Sequence, residues 1–193
     1  MRLSLSALAL AAMTTLTACA AMAPEPTPEP VVATMRWDHR PEASEWTQAS
    51  FAALQTDSAP LVDIVPGDIE TWCPKYLEGS RTERAAFWTG LMSALAKHES
   101  TWNPEAVGGG GRWFGLVQID PSTARGYGCE ARTGSALRDG ASNLTCAFRI
   151  ASSQVARYGT VSRGMRDWGP FHSASKRQDM RDWVSNQPYC SAE

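Results

Sequence analysis

The stretch that decides the fold runs Ser80-Arg81-Thr82-Glu83-Arg84-Ala85-Ala86-Phe87-Trp88-Thr89-Gly90-Leu91-Met92-Ser93-Ala94-Leu95-Ala96-Lys97-His98-Glu99-Ser100-Thr101-Trp102-Asn103-Pro104. Its first four residues have the form of a capping box, in which a Ser hydroxyl and a Glu carboxylate each satisfy an otherwise orphaned backbone N–H. Apolar residues then recur at Phe87, Trp88, Leu91, Met92 and Leu95. Pro104 disfavours helix in the residues just before it, so the helix is expected to end near Ser100. Advancing about 100° per residue from Trp88 puts Met92 at about 40°, Leu95 at about −20° and Glu99 at about 20°. Glu99 therefore points along the middle of the apolar stripe. It also lies in the last turn, where the negative end of the helix dipole disfavours a carboxylate. Burial and dipole both raise its proton affinity, and a carboxylic acid that keeps its proton near neutral pH can donate it to a leaving oxygen. Periodicity alone does not separate this from a terminal residue that turns back to water.

Outward from this helix the signals stay mostly α. Ser44 to Gln55 is a candidate amphipathic helix with Trp46, Phe51 and Leu54 inward, and Asp68 to Leu77 is a weaker one interrupted by Pro74. Asp120-Pro121 looks like a helix start, with Asp as cap and Pro in the first turn. A further helix is expected from about Leu137 to Tyr158, stopped by Gly159, and a last one over Lys176 to Val184. Strand signals are sparse, and no repeat is visible.

The 193 residues suit one domain plus appendages. Charged residues nearly cancel, at net −2, which argues against a nucleic-acid-binding chain. Residues 1–18 read as an export signal: Arg2, an apolar run from Leu3 to Leu16, then Leu16-Thr17-Ala18-Cys19. The run is too short to span a bilayer comfortably. The tetrapeptide resembles the bacterial lipoprotein box, which implies lipid on Cys19 and a membrane anchor; a plain secretory cut near Ala18 or Ala23 is the alternative. Alternating prolines from Pro24 to Pro30 favour an extended stalk of roughly 20 Å. Residues 19–36 are read as anchor and linker, and 37–193 as the domain. The remaining cysteines are Cys73, Cys129, Cys146 and Cys190. An even count in an exported chain suggests two disulfides with three possible pairings. Cys129–Cys146 with Cys73–Cys190 is favoured, because the first closes a short loop and the second ties the domain's ends. With no Cys-x-x-Cys, a Zn site is disfavoured.

After His98-Glu99-Ser100-Thr101-Trp102-Asn103-Pro104 comes a glycine run, then Gly115-Leu116-Val117-Gln118-Ile119-Asp120-Pro121-Ser122-Thr123-Ala124, and later Asn143-Leu144. In this order the pieces resemble the soluble lytic transglycosylase family over about residues 83 to 158. Its signature is Glu-Ser at a helix end, aromatic-Asn-Pro, Gly-Leu-Met-Gln-Ile, Pro-x-Thr-Ala and Asn-Ile. The resemblance implies a mainly α, lysozyme-like domain of the goose-type kind, stapled by disulfides, acting on peptidoglycan glycan strands. It implies that Glu99 protonates the glycosidic oxygen between N-acetylmuramic acid and N-acetylglucosamine. Glu99 then serves as base for the muramyl 6-hydroxyl, giving a 1,6-anhydro product. It further implies that Ser100, Gln118 and the backbone of Gly115, Leu116 and Val117 line the sugar groove, with Asn143 holding the loop or contacting substrate. Trp113 and Trp102 flank the groove, where flat rings could stack on sugars or pack inward.

The chain departs from the pattern in two places. Gly108 to Gly111 fill the loop where the family has a Ser. The family's Ala-Tyr-Asn-Ala-Gly is replaced by Met165-Arg166-Asp167-Trp168-Gly169, so Arg166 stands for the Tyr, and Asp167 or Trp168 must take its role. This keeps open a two-carboxylate hydrolase with Asp167 or Asp120 as partner, or a weakly active wall-binding lipoprotein. His98-Glu99 lacks the second His a metalloprotease needs four residues on; position 102 is Trp. No Gly-x-Ser-x-Gly elbow and no phosphate-loop Lys is present. No cofactor or metal is expected. The expected setting is a monomer at the periplasmic face of an outer membrane.

Overall fold

Five of the seven α-helices begin where a side chain accepts one of their first N–H groups. The computed structural model describes residues 33–191. Seven α-helices are formed among them: α1 (Ala43–Gln55), α2 (Ala59–Asp63), α3 (Arg81–Ser100), α4 (Pro121–Gly126), α5 (Gly140–Tyr158), α6 (Val161–Gly164) and α7 (Ala174–Ser185). Ser80 accepts the N–H of Glu83, and Glu83 accepts that of Ser80, so the capping box starts α3. Asp120 caps α4 and Asp139 caps α5 through their carboxylates. The stretch Asp68 to Leu77 is not one helix. It is two single 3₁₀ turns, Ile69–Thr71 and Pro74–Leu77, because Pro74 cannot continue the first. Helix α5 starts at Gly140 rather than Leu137, since residues Ala136–Arg138 form a separate 3₁₀ turn ahead of the Asp139 cap. A two-stranded antiparallel ribbon, β1 (Val107–Gly108) and β2 (Trp113–Phe114), was not read from the sequence.

Helix α3 is the axis of the body. Every residue from Ala85 to Ala96 is buried, with α7 packed along it and α1 and α2 also against it. This corrects the stripe argument. A helix surrounded by others has no wet face, so its burial follows from position in the fold rather than from an apolar side. Gly90 lies where the C-terminal segment crosses: a Cβ there would collide with the Tyr189 hydroxyl. That hydroxyl donates instead to the Thr34 carbonyl at 3.2 Å.

The disulfides are Cys73–Cys190 and Cys129–Cys146, as the sequence favoured. The first joins residues 117 apart in the chain and the second residues 17 apart. The export signal, Cys19 and the proline stalk lie outside the described residues. The linker boundary at residue 36 falls inside the packed body. Met35 and Trp37 are buried, the Arg36 N–H donates to Ser93 Oγ at 2.9 Å, and the Arg36 guanidinium makes a forked pair with Asp179 at 2.6 and 2.9 Å. None of the described helices is long and apolar enough to cross a membrane.

Candidate active site

Glu99 sits on the last turn of α3, half-buried. Burial pushes its carboxyl up to about 7, opposed only by the positive charge of Lys176 on α7. The turn that carries it is fixed from the outside by Asp179. That carboxylate takes Lys97 Nζ at 3.0 Å and His98 Nε2 at 2.7 Å in addition to Arg36. The charge-assisted bonds, led by Arg36, hold Asp179 well below the usual carboxylate range. His98 moves down because of burial, which outweighs the pull of Asp179.

Three non-glycine residues among those described have left-handed backbone: Thr101 (φ 54°), Trp102 (φ 55°) and Gln118 (φ 50°). Such conformations are costly for side-chain-bearing residues and cluster where the surroundings over-determine them. All three flank the seam between the end of α3 and the Gly115–Gln118 turn. Thr101 ends α3, and its N–H bonds the carbonyls of Ala96 and Lys97. Trp102 packs inward: its indole N–H donates to the Ser93 carbonyl at 2.9 Å, and its ring meets His39 edge-on.

The turn from Gly115 to Gln118 is held on every side. The Ser100 hydroxyl donates to the Leu116 carbonyl at 2.8 Å. Asn143 Oδ1 accepts the Val117 N–H at 3.0 Å, and Asn143 Nδ2 donates to the carbonyls of Phe114 and Leu137 at 3.0 and 2.9 Å. The Trp168 indole N–H donates to the Val117 carbonyl at 2.9 Å. Gly115 has φ +83°, and a Cβ there would strike the Leu137 carbonyl and the Asn143 amide. Gln118 spends its amide N–H groups on the carbonyls of Ala106 and Gly115, at 3.2 and 2.9 Å.

These bonds correct several expected contacts. Asn143 is fully buried, so it holds the loop and does not touch substrate. Leu116 and Val117 are likewise fully buried, and their carbonyls accept from Ser100 and Trp168. Gly115 is buried as well, and its carbonyl accepts from Gln118. Ser100 acts on the loop through its hydroxyl.

Beside the turn opens a cavity of about 370 Å³ lined by Trp113, Gln118, Asp120, Tyr127, Asp167 and Trp168, among others. Glu99 is not in that lining; it meets this region through its neighbour Ser100 and the turn. Trp113 is 42% exposed, the most accessible aromatic of the lining, with the Arg112 guanidinium over its ring. Asp120 accepts Arg112 Nε at 2.8 Å and the Ser122 N–H at 2.7 Å. The Arg112 bond, followed by the two from Ser122, lowers its carboxyl to about 2. Asp167 is exposed and accepts the Gln154 amide at 2.8 Å. Arg166, aligned with the family's Tyr, is not in the lining of this cavity; it pairs with His172. Trp168, two residues on, lies against the turn instead. The sequence did not point to Tyr127 or Asp179, and it gave Thr123 only as part of the Pro-x-Thr-Ala piece, with no role at the site. Tyr127 carries the only foreseeable signal, an aromatic directly after the short α4.

A buried helix ending in a half-buried carboxyl of raised proton affinity, set beside a braced turn and an aromatic cleft, defines a helical, disulfide-stapled domain of the lysozyme-like class. Residues 77–173 match the transglycosylase SLT domain family, and the chain belongs to that family, whose members act on peptidoglycan. Solved structures of Bd0314 DslA superpose on it. One glutamate-to-glutamine mutant does so at TM-score 0.74 with 23% identity, covering 82% of this chain and 98% of that one. The wild-type form gives 0.72 and 24% over 82% and 98%, and a second glutamate-to-glutamine mutant 0.71 and 25% over 81% and 97%. No curated protein sequence matches the chain.

Proposed function

We propose that the protein is a lytic transglycosylase that cleaves the bond between N-acetylmuramic acid and N-acetylglucosamine, with Glu99 as both acid and base. The Glu99 O–H gives its proton to the glycosidic oxygen as the C1–O bond breaks. The muramyl 6-hydroxyl then bonds to C1 and returns its proton to the Glu99 carboxylate. The product is a 1,6-anhydro sugar, the acid is regenerated and no water is consumed. The observation that carries this reading is the raised proton affinity of Glu99, a carboxyl that among the described residues only one lysine favours in its ionised form. Proton transfer of this kind is worth about 10²–10⁴ in rate. The braced turn keeps the surrounding surface in one geometry, which supplies part of the rest. Trp113 offers a flat, accessible ring for stacking on a sugar. We also take Cys19 to be lipidated, anchoring a monomer at the periplasmic face of an outer membrane.

One observation favours a second reading. Asp167 presents an exposed carboxylate to the cavity, and a glycosidase with two carboxyl groups releases its product by hydrolysis. Asp120 suits that role less, since Arg112 and Ser122 occupy it. Digestion of purified sacculi followed by mass spectrometry separates the two. Anhydromuramyl ends that vanish in Glu99→Gln support the first reading; reducing ends that vanish in Asp167→Asn support the second. Turnover unaffected by Glu99→Gln overturns both.

A further inference from the structure

A second recess, of about 400 Å³, lies among α6, the segment after it and α7. It is lined by Ser162, Arg163, Arg166, Phe171, Arg177 and Arg181. Four guanidinium groups thus share one concavity with no carboxylate in its wall. The chain as a whole is slightly acidic, at net −2, so the concentration is local. None of the four arginines forms an ion pair among the described residues. Two acids that adjoin the residues of the recess are already engaged. Asp68 accepts the N–H groups of Val161 and Ser162 at 2.7 and 2.9 Å, and Asp182 accepts the Gln178 amide at 2.5 Å.

Three of the four arginines are held in place. Arg177 donates to the Phe171 carbonyl at 2.6 Å. Arg181 lies over the Trp72 ring at 5.1 Å, and its Nε is buried with no hydrogen-bond partner among the described residues. Arg166 is steered by His172, which bonds its guanidinium and its carbonyl. Arg177 and Arg181 stand one turn apart on α7, a spacing at which like charges repel. A buried donor without an acceptor is also unfavourable. The repulsion falls when a compact, multiply charged oxyanion enters, because guanidinium forks match such oxygens in pairs.

We propose that this recess is a binding site for a phosphate-bearing anion, separate from the glycan cleft. The phosphate group is the recognised chemistry; its source is either a soluble phosphate ester or a lipid headgroup. The test uses the full chain carrying Cys19→Ser, so that no acyl chain contributes to membrane binding. Calorimetric titration with pyrophosphate at low salt is expected to show saturable binding. The exposed pair Arg163→Gln/Arg166→Gln should weaken it at least about tenfold, without changing the melting temperature. Arg157→Gln, which removes a charge outside the recess, should bind as wild type does. Sedimentation with phosphatidylglycerol vesicles but not phosphatidylcholine vesicles, lost in the double variant, identifies the headgroup as the source. Pyrophosphate binding without vesicle binding identifies a soluble ester. No saturable binding, equal binding by the double variant, or preference for an oligonucleotide over pyrophosphate overturns the proposal.

Discussion

Helix α3 carries a glutamate near each end, and the two are opposites. Glu83, at the first turn, accepts the Ser80 N–H and hydroxyl and is held below its ordinary value by those bonds. Glu99, at the last turn, has no such donor and is pushed up by burial. The first sits at the positive end of the helix dipole and the second at the negative end. The same side chain on one rod therefore closes a helix at one terminus and holds a proton at the other. The difference lies in the donors each finds, and in how much water each keeps.

The widest break in that comparison is Glu99→Gln. Turnover of sacculi should fall by about 10²–10⁴, while Glu83→Gln leaves the rate near wild type. In the wild-type protein the rate should decline above about pH 7 as Glu99 loses its proton, and a flat profile through pH 9 would refute that assignment. Next in size is Asn143→Ala, which removes all three bonds of the bracket under the turn. Urea unfolding should show a loss of about 3 kcal/mol, with activity reduced below the melting temperature as well.

Stability against pH sharpens the contrast further. Glu99 binds its proton more tightly folded than unfolded, so its contribution is fully present below about 4.5 and is lost as pH rises to about 7. Glu83 behaves inversely: its contribution is present above the ordinary carboxylate range and is lost as pH falls. Glu99→Gln should accordingly be more stable than wild type at pH 8, by about 2 kcal/mol, with the gap closing near pH 5. Thermal melts at the two pH values measure this directly. The smallest effect is expected for Ser80→Ala, a loss of about 1 kcal/mol from the cap with kcat unchanged.

Local chemistry was the readable part of the sequence. The capping box, the Asp120-Pro121 start, the end of α3 and the cysteine pairing each depend on residues close together or on simple loop closure. Glu99 was found by a stripe that α3, buried on all sides, does not have; its place in the last turn was the sounder clue. Asn143 was noticed, but its role depends on the Val117 N–H and the Phe114 and Leu137 carbonyls, distant in the chain. Asp179 reaches Arg36, Lys97 and His98 only once α7 packs on α3, and no spacing announces that. Helices α2 and α6 are about one turn each, too short for periodicity to register.

Gly90 sets a limit on engineering. Helix propensity alone recommends alanine at an interior glycine, for a gain of roughly 1 kcal/mol. At this position the added methyl would displace Tyr189 and with it the strap ending in Cys190. A stabilising redesign of the domain should therefore spend its changes on the exposed helix faces and leave the crossing point bare.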